Sequence, residues 1–322
     1  MKEVLCAGEI LVDFISEEKG KDLAGSETFR KKAGGSPLNV AVALRRLGRP
    51  VAFLGKLGKD QFSQFLLSVL EREGVNTKHV VIDPGCKTTL AFVARDESGN
   101  PDFVFFRENP ADANLKLEEV DVDPEEFSFL HVGSISLLFE PARSTYMEVM
   151  EKFLRSGKPV SYDPNVRPSL VRDRASLVRD FLEISSKASV VKLSEKDLEF
   201  LFSGRDPLEV VDEVPTREDG LLFLTLGERG CLVKFRGEKK LVPAFKVQPI
   251  DATGCGDSFT AAVIHKYLEK RPESLEDAVE MAKFANAVAA VVITRIGGVD
   301  AMPTINEVEE FLKNYLKEDP SE

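Results

Sequence analysis

Short apolar runs alternate with longer amphipathic stretches along most of this chain, and few architectures accept that rhythm. Glu3–Ala7, Val51–Leu54, Phe129–Val132, Val160–Asp163, Val190–Leu193 and Leu221–Leu226 read as buried strands. The segments between them, Asn39–Leu47, Gln61–Glu73, Ala142–Ser156, Arg174–Ser185, Glu195–Phe202 and Asp257–Glu269, space their apolar residues by three and four. Repeated βα units predict an α/β fold, a doubly wound and mostly parallel sheet flanked by helices. Glu276–Arg295 is rich in Ala and Val, which predicts a closely packed helix.

Two stretches break the rhythm. Residues 12–33 and 87–108 are extended in pattern, and in the second LAFVAR and FVFFR flank the polar DESGNP as a β-hairpin would. These insertions predict a small β-sheet lid over the main strands of a single domain spanning residues 1–322. The net charge of −11 argues against binding to nucleic acid or an anionic membrane. No window approaches the about 20 apolar residues of a membrane helix, so a cytoplasmic protein is expected. Cys6, Cys86, Cys231 and Cys255 lie far apart, without the spacing of a zinc site.

Chemistry concentrates in two glycine-rich segments. In Asp251-Ala252-Thr253-Gly254-Cys255-Gly256-Asp257, small residues ahead of a helix let backbone N–H groups converge on an anion. Asp257 has two open readings. A carboxylate repels a bound phosphate, so it is either a base that takes a proton from an attacking hydroxyl or a cap for the helix. In Gly34-Gly35-Ser36-Pro37-Leu38-Asn39 the paired glycines permit close approach to a ligand. Asn39 either hydrogen-bonds sugar hydroxyls or caps a turn.

Together the segments resemble the two motifs of the ribokinase-like (PfkB-type) carbohydrate kinases. The first matches through Gly48 and Gly58. The second has family form DTxGAGD and reads DATGCGD here, with Ala252 and Cys255 replacing Thr and Ala. Further resemblance runs through GEILVD, DPGCKTTLAFV, RENPADANL, HVGSISL, SYDPNVRP, VKLSEKDLEFL, TLGERG and TRIGGVDAMP. The wording is most similar to the fructokinase branch. Kinases of 2-keto-3-deoxygluconate compete, but they carry a tyrosine-rich hairpin where this chain has Phe105-Phe106-Arg107.

The resemblance implies ATP-dependent phosphorylation of a sugar's primary hydroxyl, with D-fructose the expected acceptor. It makes Asp257 the base and gives the amides of Gly254, Cys255 and Gly256 to the transferred phosphoryl group. It places Asp13, Gly34, Gly35, Asn39, Arg107, Asn165 and Arg167 around the sugar. Read alone, Asp13 suits a solvated strand end, and Arg107 a surface ion pair. Lys192, Thr225, Gly227, Gly230 and Asn286 match nucleotide positions. Ser194 and Asp197 stand where relatives carry an NxxE motif tied to Mg²⁺, which places Asp197 near that ion through water. Asp251 and Thr253 match a monovalent-cation site, K⁺ in some relatives. A homodimer through the lid is expected, because an uncovered apolar sheet needs a cover. The competing readings are another sugar kinase and a silent regulator that binds sugar or nucleotide without chemistry. No GxxxxGK[ST] P-loop is present, nor a GxGxxG after a strand.

Overall fold

A computed structural model describes residues 1–18, 20–95 and 101–318. Its strands are β1 (Glu3–Ala7), β2 (Leu11–Ser16), β3 (Phe29–Gly34), β4 (Val51–Gly58), β5 (Val80–Asp83), β6 (Leu90–Arg95), β7 (Pro101–Phe106), β8 (Phe127–Gly133), β9 (Val160–Asp163), β10 (Val190–Ser194), β11 (Leu221–Thr225), β12 (Cys231–Phe235) and β13 (Glu238–Val242). Its helices are α1 (Ser36–Arg46), α2 (Gln61–Arg72), α3 (Ala142–Arg155), α4 (Arg174–Lys187), α5 (Glu195–Leu201), α6 (Pro207–Val210), α7 (Cys255–Glu269), α8 (Leu275–Ile293) and α9 (Ile305–Glu318).

Among the described residues, nine strands form one sheet in the order β13-β12-β11-β10-β9-β8-β1-β4-β5. It is parallel from β11 to β5, with β12 and β13 added antiparallel at one edge. Burial on both faces explains the strand sequences: every residue of β4 is buried, and β1 and β11 are apolar almost throughout. One face packs on α1, α2, α7, α8 and α9, and the other on α3, α4 and α5. The Ala-rich α8 lies against α7 through Ala278, Ala282 and Ala285, where small side chains permit close approach. No described helix is long and apolar enough to cross a membrane.

The extended insertions form a separate sheet in the order β3-β2-β6-β7. The hairpin expected around residues 90–106 pairs Leu90 with Phe106 and Phe92 with Val104, and its turn at 96–100 lies outside the described residues. Phe14 of β2 meets Phe62 of α2 at 5.9 Å, and Lys31 lies 4.0 Å over the Phe65 ring. The small sheet is thereby fixed on the body against α2.

Helix starts place the chemistry. α7 begins at Cys255, two residues ahead of the expected start, and Gly254 before it is left-handed at φ 86°. A Cβ on Gly254 would also meet Met302 Cε at 2.8 Å, but that is the movable end of a side chain, so it is the left-handed backbone that calls for glycine. Asp257 therefore lies inside the first turn and makes no capping bond. Likewise α1 starts at Ser36, which puts Asn39 within the helix on the side facing α7.

Candidate active site

The glycine-rich segments 34–39 and 251–257 meet side chain to side chain. Asp257 is 7% exposed; its Oδ1 accepts from Ser36 Oγ at 2.6 Å and its Oδ2 from Asn39 Nδ2 at 2.7 Å. Asn165 Nδ2 approaches Oδ1 at 3.4 Å. Asn165 follows β9 with a positive φ of 37°, and its backbone N–H donates to Asp163 Oδ1 at 3.1 Å. The first turn of α1 and the loop after β9 thus converge on one carboxylate at the positive end of α7, where the helix dipole favours negative charge. Of the two readings of Asp257, the cap is set aside: its oxygens are turned to other elements. Asn39 does not cap its helix either.

Lys192, on β10, carries the positive charge of the centre. It is 4% exposed, and its Nζ pairs with Asp163 Oδ2 at 3.1 Å. A Cβ on Gly256 would lie 2.7 Å from that Nζ, so the ammonium sits against the glycine loop. Burial opposes the lysine's charge, but the carboxylates of Asp163, Asp197 and Asp257 outweigh it and hold the ammonium above its usual range. Burial pushes the Asp163 carboxyl up to about 6, against the pull of Lys192. Thr260 Oγ1 of α7 donates to Asp163 at 3.3 Å.

Beside this centre Asp13 leaves β2 and lies against Gly34. A Cβ there would stand 2.1 Å from Asp13 Oδ2, so only glycine admits the carboxylate. Burial raises Asp13 to about 7; Arg167 pulls the other way, and Asp257 and Glu9 reinforce the rise. Arg167 Nη1 donates to Asn165 Oδ1 at 2.6 Å, and its guanidinium lies 5.9 Å from the Phe103 ring of the small sheet. Arg107 pairs with the buried Asp112 at 2.8 Å and lies 4.8 Å over the Phe139 ring. The ion-pair reading of Arg107 is thus realised, but with a buried partner rather than at the surface.

A cavity of about 320 Å³ opens on the other side of the glycine loop. Thr225, Gly227, Gly230, Cys255, Gly256 and Asn286 line it. Its size suits a small ligand. Asn286 Nδ2 donates to Pro243 O at 2.9 Å, tying α8 to the end of β13. Burial, with Asp251 and Asp257 nearby, pushes the Cys255 thiol up to about 12, so it lines the cavity as a neutral group.

Two acids expected near cations are held by backbone. Asp197 Oδ1 accepts from Val166 N at 2.8 Å; Oδ2 accepts from Ser194 N at 2.8 Å and Ser194 Oγ at 2.6 Å. Asp251 accepts from Thr253 N at 2.9 Å and Gly297 N at 3.0 Å. Glu9, Ser36, Asp112 and Asp163 were given no role by the sequence, yet each supports a site residue. Glu9 is 2% exposed and accepts from Ser36 N at 3.2 Å; Asp112 accepts from Thr89 Oγ1 at 2.5 Å. A polar residue ending an apolar run, as Asp163 ends Val160–Asp163, was the available signal.

A buried carboxylate on an anion-binding helix start, beside a polar cradle under a small sheet, defines a phosphotransferase that acts on a small hydroxyl compound. The chain belongs to the pfkB family of carbohydrate kinases, whose model matches residues 1–305. It is 40% identical over 320 residues to Fructokinase-1 of Zea mays, covering 96% of this chain and 97% of that one. The structure of a fructokinase from Xylella fastidiosa with bound ATP superposes with a TM-score of 0.86, at 30% identity, over 98% of this chain and 99% of that one. A fructokinase from Vibrio cholerae in a fructose-, ADP- and calcium-bound form gives a TM-score of 0.83, at 30% identity, over 97% and 99%.

Proposed function

We propose that this carbohydrate kinase transfers the γ-phosphoryl group of ATP to the primary hydroxyl of D-fructose, giving fructose 6-phosphate and ADP. The observation that carries the reading is the meeting of Asp257 with Ser36 and Asn39, which brings an acceptor cradle and an anion-binding helix start to one carboxylate. The relatives named above supply the sugar.

In this reading Asp257 takes the hydroxyl proton as the sugar oxygen forms its bond to phosphorus and the bond to the ADP oxygen breaks. The amides of Gly254, Cys255 and Gly256 and the ammonium of Lys192 receive the charge on the phosphoryl oxygens. Asp13 accepts from sugar hydroxyls, with Gly34, Gly35, Asn39, Asn165 and Arg167 around it, and Arg107 faces the sugar from the small sheet. ATP lies in the cavity lined by Thr225, Gly227, Gly230 and Asn286.

Mg²⁺ carried on the nucleotide would supply neutralisation of phosphate charge. Three protein donors already occupy the Asp197 carboxylate, which leaves it room to hold one metal-bound water. Asp251 and Thr253 would be the residues to hold a monovalent cation beside the glycine loop.

The small sheet acts as the lid and as the face of a homodimer. Phe106 and Val104 on it are 59% and 43% exposed, an apolar surface that a second copy would cover. Sedimentation at micromolar concentration checks this, and a monomer refutes it. The cytoplasm is the expected setting. The function is tested by ADP release with Mg-ATP and a panel of fructose, 2-keto-3-deoxygluconate, ribose, glucose and adenosine. Preference for fructose supports the assignment; turnover of an acidic sugar in its place overturns the acceptor but keeps the chemistry.

A further inference from the structure

We propose that Ser36 is a positioning residue for Asp257, locking one carboxylate oxygen so that the other, Oδ2, takes the substrate's proton. The proposal rests on the kinase reading above. Each carboxylate oxygen has two in-plane lone pairs. At Oδ1 the Ser36 hydroxyl occupies one at 2.6 Å, and the Asn165 amide approaches the other at 3.4 Å. At Oδ2 Asn39 donates at 2.7 Å, and a second lone pair is left for the incoming hydroxyl. With Ser36 in place the carboxylate cannot turn about its terminal bond without breaking its shortest hydrogen bond.

Ser36 is itself held. It is 7% exposed, and its backbone N–H donates to Glu9 Oε1 at 3.2 Å. Glu9 in turn accepts from Ser136 Oγ and donates its own N–H to that oxygen at 2.7 Å. A chain of contacts from the turn after β8, through Glu9 at the end of β1, fixes the hydroxyl that fixes the base. A preoriented base is worth most in a step whose geometry tolerates little error. The role given to Ser36 is exerted through Asp257, the group its hydroxyl meets.

The test is a double-mutant cycle read by single-turnover and steady-state kinetics on Ser36→Ala, Asp257→Asn and the double variant. Alanine suits a first helical turn, and melting temperature and ATP binding are followed for each protein. Ser36→Ala is expected to lower kcat about tenfold, with the KM values for sugar and ATP within about twofold. In the Asp257→Asn background the same change is expected to cost less than about twofold, because the base it positions is gone. An equal loss in both backgrounds marks a merely structural role and overturns the proposal, as does an unchanged kcat in the single variant. The sugar is whichever member of the panel the wild type phosphorylates best, so a wrong acceptor is seen in the wild type and not in the ratio. A wild type that phosphorylates no sugar overturns both readings.

Discussion

Gly34→Ala is the sharpest single probe of how the sugar cradle is built. A Cβ at this position would lie 2.1 Å from Asp13 Oδ2 and 2.6 Å from Asp13 Cγ. Real contacts of this kind need at least about 3 Å, so the carboxylate must retreat by about 1 Å. Asp13 is the group assigned to accept from sugar hydroxyls, and a charge-assisted hydrogen bond is worth about 1.5–3 kcal/mol. Losing one such bond raises the fructose KM roughly 10–100-fold, and a misplacement of about 1 Å is of the size that costs about 100-fold in kcat/KM. The cavity assigned to ATP is lined by Cys255 and Gly256 of the other glycine-rich segment and not by Gly34, so nucleotide affinity is expected to stay within about twofold. Coupled kinetics with fructose varied at saturating ATP, together with calorimetric titration of an ATP analogue, reads both quantities. In an Asp13→Ala background Gly34→Ala should add almost nothing, because the atom it collides with is gone. A Gly34→Ala enzyme with normal KM and kcat refutes the placement of Asp13 on the sugar. Equal losses for sugar and nucleotide would mean that the helix start has collapsed.

Asp257→Asn is expected to lower kcat about 10²–10⁴-fold with both KM values and the melting temperature nearly unchanged, checked by kinetics and calorimetry. The amide can still accept from Asn39 and donate to the Ser36 hydroxyl oxygen, so the contacts survive while the base is lost. Asp163→Asn removes the countercharge 3.1 Å from buried Lys192; a loss of about 2–4 kcal/mol in denaturant unfolding and weaker ATP binding are expected, and a neutral outcome would refute the pairing. Fructose should bind better and stabilise more as pH rises through about 7: Asp13 must be ionised to accept hydroxyl protons, and burial holds it protonated up to about 7. The ligand-free protein runs the other way. Asp13 and Glu9, both raised to about 7, keep in the folded state protons that the unfolded chain has already lost, so stability falls between about pH 4 and 7, and thermal melts with and without fructose across that range check both signs.

The sequence reading reached the body of the fold because buried parallel strands are apolar throughout and their helices keep a clear period. It ended β4 at Leu54, whereas the strand runs to Gly58. The cause is Lys56, a charged letter inside a buried run: it is 1% exposed and paired with Asp83 at 2.9 Å and Glu119 at 2.7 Å, partners that only the fold supplies. β13, reading EKKLV, was missed because an edge strand exposed along most of its length has no apolar run. At the site, motif residues were legible because their spacing is local. Their supports were not: Glu9 meets Ser36 and Ser136, and Asp163 meets Lys192 and Thr260, contacts that join residues far apart in the chain. Nothing in a single sequence pairs those letters.

The same long-range supports account for the electrostatics of the centre. Glu9, Asp13, Asp163, Asp197 and Asp257 gather near a place meant for a polyanion, which by charge alone would repel it. Buried lysine, Arg167 and the start of α7 reverse that balance, each near a different part of the site. The division has a chemical reason. A proton acceptor must stay ionised beside a phosphoryl group that is more negative still, so the positive charge has to lie nearer the phosphoryl oxygens than the base does. Lys192, whose ammonium lies against Gly256 of the loop assigned to the phosphoryl group, is the cation placed to meet that requirement. Two of the acids, Glu9 and Asp13, are raised to about 7, chiefly by burial, and so hold protons near neutrality, whereas Asp257 is met by three hydrogen-bond donors, Ser36, Asn39 and Asn165. Environment, more than residue type, separates the carboxylate that does the chemistry from those that only build its surroundings.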